Sequence, residues 1–233
     1  MSFLASNLKY IVDSGLATHK ELAIMANSNE THCRDICDGT AEATADELIA
    51  ISRRFHITTD RLLKVDIALK NKAIKDLDIK LLILDVDGVM TDGSMYYTES
   101  GDEFKKFNSK DGMAIRKLAR LDEGLKFGII SSGYNFKLIN KRAKLLGIHN
   151  VYTGTTPKIE ILKNWCEELN IKLENTGFIG DDINDIDCMN RVGISACPAD
   201  AVSKVKKVVD IVLLNKGGHG CIREFIEEYL FPE

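Results

Sequence analysis

Residues 81–93 read Leu81-Leu82-Ile83-Leu84-Asp85-Val86-Asp87-Gly88-Val89-Met90-Thr91-Asp92-Gly93. Four consecutive aliphatic residues without polar alternation mark a strand buried on both faces, the usual condition in a parallel sheet. The run stops at Asp85-Val86-Asp87-Gly88, where Asp-Gly is a turn signal. Such a strand delivers its acids to the carboxyl edge of a sheet, where open α/β folds bind ligands.

Further short apolar runs occur at 126–130, 176–179, 193–196 and 211–214, and helical periodicity fills 112–121, 136–146, 158–169, 185–191 and 201–208. Strands alternating with helices predict a doubly wound parallel α/β sheet. One segment breaks the alternation: 94–97 and 103–107 flank Ser100-Gly101-Asp102, the pattern of a β-hairpin.

Residues 1–70 carry only helical signals, so a small all-α domain is expected there. Apolar residues recur at helical spacing in Leu4, Leu8, Ile11 and Val12, and again in Leu22, Ala23 and Ala26. Thr18 with Glu21 and Thr44 with Glu47 are capping-box starts. Asn29 is placed to cap a third helix that Gly39 would end, and Thr59 opens a fifth. A lysine-rich stretch over 71–79 reads as a charged helical connector, and 80–233 as the α/β domain.

The whole chain has 233 residues, 45% hydrophobic and 28% charged, which excludes disorder as its main state. With 31 basic against 35 acidic residues it has no general attraction for nucleic acid or anionic membrane. Six scattered cysteines at 33, 37, 166, 188, 197 and 221 read as free thiols of a reducing cytoplasm. No signal-peptide pattern or bilayer-length apolar run is present, so a soluble cytoplasmic protein is expected.

The polar residues at the strand ends form a chemically coherent set. The first strand gives Asp85 and Asp87, and the second Ser131-Ser132-Gly133. Lys158 opens the helix after the third strand position, and the fourth strand leads into Gly180-Asp181-Asp182 and Asp185. Clustered carboxylates repel one another and need a cation, and an all-oxygen donor set favours Mg²⁺. A lysine and a hydroxyl beside such a cation make the site complementary to a phosphoryl group. An aspartate can attack phosphorus, and a second two residues on, on the same side of an extended chain, can serve as acid and base. Each element alone is ordinary (Asp-x-Asp in a loop, a surface lysine, a capping serine). The argument rests on their order at successive strand ends.

In that order the residues resemble the haloacid dehalogenase-superfamily phosphatases, and among them the 3-deoxy-D-manno-octulosonate 8-phosphate phosphatase branch. The resemblance runs from Leu82–Gly93 through Phe107-Asn-Ser-Lys-Asp-Gly112, Ser132-Gly133, Lys158 and Gly180-Asp-Asp-Ile-Asn-Asp185 with Met189. It ends in Gly217-Gly-His-Gly-Cys-Ile-Arg-Glu224 and covers about residues 80–230. It implies a phosphoric monoester hydrolase with Asp85 as nucleophile, Asp87 as general acid and base, Ser132 on the phosphoryl oxygens and Lys158 offsetting charge. Ser131 rivals Ser132 for its role. The resemblance assigns Mg²⁺ to Asp85, Asp181 and the main-chain carbonyl of Asp87, supported by Asp182 and Asp185. Lys110, Asp111, Gly133, Tyr134 and His219 are the implied substrate contacts.

Only 47 residues separate Asp85 from Ser132 and 26 separate Ser132 from Lys158, which leaves no room for a cap domain. Similar sugar-acid phosphatases are tetramers in which hairpins form a barrel and a neighbour's tail covers the site. A homotetramer with shared sites is therefore expected. Tyr134 stands where octulosonate-specific members carry arginine and nonulosonate-specific ones glutamate, and His219 replaces an arginine. In the family that the chain resembles these positions touch the sugar, so a nonulosonate 9-phosphate stands as the alternative substrate. The resemblance also implies that the product passes to a nucleotide-activating enzyme of surface-glycan synthesis, as in lipopolysaccharide.

Residues 18–39 resemble a phage-repressor helix-turn-helix, with Asn29–Cys37 as its recognition stretch. A DNA-binding regulator sensing sugar phosphates is thus a further reading. Against it, residues 1–70 hold eight basic and ten acidic residues, whereas phosphate contacts dominate DNA affinity. Assembly or partner docking is the favoured role for this unit.

Overall fold

The computed structural model describes residues 2–55, 57, 59–64, 67, 77–120, 125–133 and 135–231. Leu81–Leu84 forms β1, with every residue buried. The chain then makes a hairpin of β2 (Tyr96–Tyr97) and β3 (Glu103–Phe104), with Tyr96 opposite Phe104 and Tyr97 opposite Glu103. It returns to the sheet as β4 (Lys126–Ser131) and β5 (Asn150–Thr153), and continues as β6 (Thr176–Ile179), β7 (Ile194–Cys197) and β8 (Ile211–Val212). The six-stranded sheet has the order β5-β4-β1-β6-β7-β8, and all its pairs are parallel. β1 is central, with Leu81 opposite both Lys126 and Thr176 and Leu84 opposite both Ile129 and Ile179.

The chain divides into two compact units, Met1–Asp76 and Leu77–Glu233. The first contains α1 (Phe3–Asp13), α2 (His19–Met25), α3 (Glu30–Asp38), α4 (Ala45–Phe55) and α5 (Thr59–Lys64). Their starts follow the capping chemistry read from sequence. The Thr18 N–H donates to Glu21 Oε2 at 2.7 Å and the Glu21 N–H to Thr18 Oγ1 at 3.2 Å. Asn29 Oδ1 accepts from His32 N at 2.7 Å, and Thr44 and Glu47 exchange bonds of 2.8 and 3.3 Å. Leu4, Leu8, Ile11, Leu22, Ile36, Ile51 and Leu62 share one apolar core.

In the second unit the helices between strands are α6 (Ser109–Arg120), α7 (Phe136–Leu146), α8 (Lys158–Leu169), α9 (Ile186–Met189), α10 (Ser203–Lys206) and α11 (Cys221–Phe225). Leu81, Ile83, Ile130 and Phe178 of the sheet pack in one cluster with Leu162 of α8 and Met189 of α9. Among the described residues, no helix is long and apolar enough to cross a membrane.

Several boundaries differ from those expected. β5 fills the third strand position, for which no apolar run marked the residues: they are only half-buried, so the strand lacks the apolar run of a central one. The hairpin strands pair over two residues each, because Asp92 Oδ1 takes the Ser94 N–H and Thr91 Oγ1 the Gly93 N–H. Pairing resumes only at a Thr91–Phe107 bridge. α6 begins three residues early because Asn108 Oδ1 caps it through the Lys110 N–H at 2.8 Å. β8 ends at Val212 since the Glu224 carboxylate claims the Leu214 and Asn215 N–H groups. Residues 71–76 of the expected connector, Leu121 and Tyr134 lie outside the described residues.

Asn7 of α1 is fully buried, and it donates to the Leu62 carbonyl at 2.9 Å and accepts from Ile67 N at 2.8 Å. Asn7→Leu leaves that carbonyl and that N–H without their side-chain partner. It should destabilise the first unit by about 1–3 kcal/mol in urea denaturation followed by circular dichroism. An unchanged midpoint would show that these two bonds do not hold the unit together.

Candidate active site

The carboxyl ends of β1, β4 and β6 open onto one cleft of about 140 Å³. It is lined by Asp85, Asp87, Ser131, Ser132, Gly133, Asp181, Asp182 and Asn184. The parallel register explains the convergence: Leu84, Ile129 and Ile179 stand abreast, so Asp85 and Gly180 leave the sheet at one level while β4 runs two residues further and ends in Ser131.

Asp85 sits at the base of the cleft, 6% exposed. Its Oδ1 lies 2.8 Å from Lys158 Nζ, and Lys158, the first residue of α8, is itself buried. The same ammonium donates to Asp185 Oδ1 at 2.6 Å. Asp185 is fully buried, and its Oδ2 accepts the main-chain N–H groups of Asp181 and Asp182 at 3.0 and 3.2 Å. One carboxylate thus both orients Lys158 and shapes the turn after β6. Asp182 directs Oδ1 to the Ile183 N–H at 2.7 Å, starting the short turn that precedes α9.

Carboxylate oxygens of Asp85, Asp181 and Asp185 lie within 4.8 Å of one another. Burial and the charge of Asp185 push the Asp85 carboxyl up to about 7. Burial, then Asp85, Asp185 and Asp182, push Asp181 up to about 8. Burial opposes the charge on Lys158, but Asp85 and Asp185 hold it well above the ordinary lysine value. Three carboxylates therefore share a single ammonium and remain under mutual repulsion. Asp181 Oδ1 is buried and finds no hydrogen-bond donor among the described residues. An excess of buried anionic oxygen with one oxygen unclaimed fits a hard divalent cation such as Mg²⁺. Gly88 (φ +88°) permits the arrangement, since a Cβ there would run into the Asp181 carboxylate.

Asp87 follows on the turn. Its Oδ1 pairs with Lys105 Nζ at 2.5 Å, and that ammonium, on the residue just after β3, also meets Glu103 Oε1 at 2.7 Å. The two candidate serines differ in their commitments. Ser131 is buried and its Oγ accepts the Gly133 N–H at 3.0 Å, whereas the exposed Ser132 Oγ accepts from Asn184 Nδ2 at 3.0 Å.

The other expected contacts lie elsewhere. Lys110 is exposed at the start of α6 and does not line the cleft. Asp111 is 2% exposed, and its carboxylate accepts the Gly220 and Arg223 N–H groups at 3.3 and 2.9 Å. His219 Nδ1 bonds the Gly217 carbonyl at 2.7 Å, and its ring is not part of the cleft lining. Sequence reasoning assigned no role to Asn184 or Lys105. Asn184 stood inside a quoted motif without distinction. Lys105 is indistinguishable in sequence from Lys106, whose side chain is 61% exposed and pairs with Asp92.

A family model described as haloacid dehalogenase-like hydrolase matches residues 92–225. Over 156 residues, 67% of this chain and 81% of that protein, the chain is 38% identical to the 3-deoxy-D-manno-octulosonate 8-phosphate phosphatase KdsC of Escherichia coli K12. The structure of the Moraxella catarrhalis 3-deoxy-D-manno-octulosonate 8-phosphate phosphatase with magnesium ion, phosphate ion and KDO matches with a TM-score of 0.64 at 29% identity. That match covers 69% of this chain and 90% of the other. The cobalt-bound Haemophilus influenzae deoxy-D-mannose-octulosonate 8-phosphate phosphatase matches at 0.61 and 33% identity, over 65% and 87%.

The raised carboxyls link cation binding to pH. A group whose folded value exceeds its unfolded value stabilises the fold below the unfolded value and loses that contribution as pH rises through the folded one. The metal-free protein should therefore lose stability between the ordinary carboxyl value of 3.8 and about 8. Mg²⁺ favours the ionised carboxylates, so the rise in Tm it produces should grow over the same interval. A Mg²⁺ effect on Tm that is flat across this range would contradict the assignment.

Proposed function

The chain belongs to the haloacid dehalogenase-like hydrolases, and from that premise we propose that it is a Mg²⁺-dependent phosphatase of 3-deoxy-D-manno-octulosonate 8-phosphate. The carrying observation is the cleft itself: Asp85 at the end of the central strand, paired with Lys158 and facing Asp181, with Asp87 and Ser132 at the rim.

Asp85 Oδ1 is engaged by Lys158, which leaves Oδ2 to attack phosphorus. The bond from phosphorus to the sugar oxygen breaks, Asp87 donates its proton to that oxygen, and phosphate is transferred to Asp85 as an acyl phosphate. Asp87, now ionised, takes a proton from water as the water attacks phosphorus, releasing inorganic phosphate and restoring Asp85. Lys158 favours the ionised form of Asp85 against burial and offsets the phosphoryl charge, and Ser132 and the Gly133 main chain hold phosphoryl oxygens. Mg²⁺, held by Asp85, Asp181 and the Asp87 carbonyl with Asp185 beside them, would supply charge neutralisation at the phosphoryl group. Asp182 supports the turn that presents Asp181.

A homotetramer with shared sites is part of this reading. The hairpin exposes Met95, Tyr96, Tyr97 and Phe104, an apolar cluster of the kind that marks a protein interface. A neighbour is then the source of further sugar contacts, with Lys110 and His219 as candidates. The first unit is read as an assembly or docking module. The only lysine or arginine of α3, Arg34, is tied to Glu30 at 3.1 Å, which leaves the helix expected to read DNA without a free lysine or arginine. All six cysteines are buried and none forms a disulfide, in keeping with a reducing cytoplasm. The product would feed lipopolysaccharide synthesis.

The test is phosphate release with Mg²⁺ across eight- and nine-carbon sugar-acid phosphates. The octulosonate 8-phosphate should be preferred, chelation should abolish release, and Mg²⁺ should restore it. Preference for a nine-carbon acid would move the assignment to the nonulosonate 9-phosphates. Asp85→Asn should lower kcat by at least about 10³-fold with the fold intact. Substantial turnover by that variant would refute the covalent route.

A further inference from the structure

We propose that Lys105 is a positioning residue that fixes the carboxylate of Asp87 for proton transfer. The proposal rests on the reading of Asp87 as general acid and base. Lys105 follows β3 in the return arm of the hairpin, yet its side chain is only 2% exposed. Its ammonium sits 2.5 Å from Asp87 Oδ1 and 2.7 Å from Glu103 Oε1. Lys106, its neighbour, points to solvent, as alternation along an extended chain requires.

A buried ammonium is costly unless paired, so this contact belongs to the fold and is unlike a loose surface ion pair. Glu103, itself only 16% exposed in its side chain, holds Lys105 to the hairpin, and Lys105 in turn holds one oxygen of Asp87. The other oxygen is left to the cleft: a Cβ added at Gly133 would stand 3.4 Å from Asp87 Oδ2. Asp87 needs this restraint. It lies two residues beyond the end of β1, on a turn, with its side chain one-third exposed. Without Lys105 its carboxylate would be free to rotate about two torsions, and proton transfer demands hydrogen-bond reach to the leaving oxygen. The hairpin thereby has a role inside its own active site as well as at a surface.

The experiment compares Lys105→Met, Lys105→Arg and the double variant Lys105→Met/Glu103→Gln with the parent protein. The double variant removes the buried glutamate charge that the single one leaves unpaired. Two substrates are used: the sugar-acid phosphate, whose alkoxide must be protonated, and a nitrophenyl phosphate, whose leaving group needs no proton. Because Asp87 also serves the hydrolysis step that both substrates share, the comparison is made on the first phosphoryl transfer, read as the single-turnover rate: misplacing the acid should lower that rate on the sugar-acid phosphate by about 10²-fold with KM changed less than about threefold. The nitrophenyl ester should lose less than about fivefold, and arginine should recover most of the activity.

Equal losses on both substrates in the double variant would overturn the proposal, because a structural defect spares neither. A raised KM with unchanged kcat would overturn it by showing that Lys105 touches substrate. Asp87→Asn is measured alongside. If its loss also ignores the leaving group, the acid–base reading itself fails and this inference with it. If Asp87→Asn shows the leaving-group dependence and the Lys105 variants do not, only the role of Lys105 is refuted.

Discussion

Three carboxylates around one ammonium, two of them buried and the third half-buried, are the constraint on which the second unit is organised. Burial and the neighbouring carboxylates drive Asp85 and Asp181 well above their ordinary values, and among the described residues Lys158 is the ammonium that meets Asp85 and Asp185. The arrangement costs stability unless a cation joins it, and such a cost is common at sites tuned for chemistry. The surroundings are built to tolerate it. Gly88 and Gly180 stand where a Cβ would strike Asp181 and Asp185, so the carboxylates come close only because the backbone gives them room. Asp185 spends one oxygen on Lys158 and the other on two main-chain N–H groups, locking the turn that carries Asp181.

The loop bearing Asp87 is buttressed from behind by the chain's last glycine segment. Gly217 lies against the Gly88 carbonyl so closely that no side chain would fit, and the Gly218 N–H donates to the Val89 carbonyl at 2.9 Å. The start of α6 fixes that segment in turn. Asn108 Nδ2 donates to the Gly218 carbonyl at 3.0 Å, and Asp111 accepts the Gly220 and Arg223 N–H groups at the entry to α11. Asn108 and Asp111 thus act as framework: they hold the segment that supports the turn carrying Asp87.

The fold class could be read from one dimension. Apolar runs of four residues, alternating with helical periodicity, are the pattern of a sheet covered on both faces, and the strand ends so marked carried polar residues in plain view. The helices of the first unit were equally legible, because caps such as Thr18 with Glu21 are local bonds between residues three apart. Along the cleft, the residues that order alone grouped, Asp85, Asp87, Ser132, Gly133 and Asp181, do meet in space.

Contacts between distant segments were decided by the tertiary structure alone. The residues of β5 carried no strand signal of their own because an edge strand needs no apolar run. Asp185 joins the carboxylate cluster, and Ser131 turns its hydroxyl to Gly133 while Ser132 keeps to the rim, through backbone geometry that composition does not encode. Lys105 reaches Asp87 across 18 residues of hairpin, and Asp111 reaches Arg223 across 112 residues of chain. The sequence determines which chemical groups exist and the local periods that carry them to a sheet edge. Which carboxylate meets which ammonium depends on side-chain packing between segments far apart in the chain, where no local signal operates.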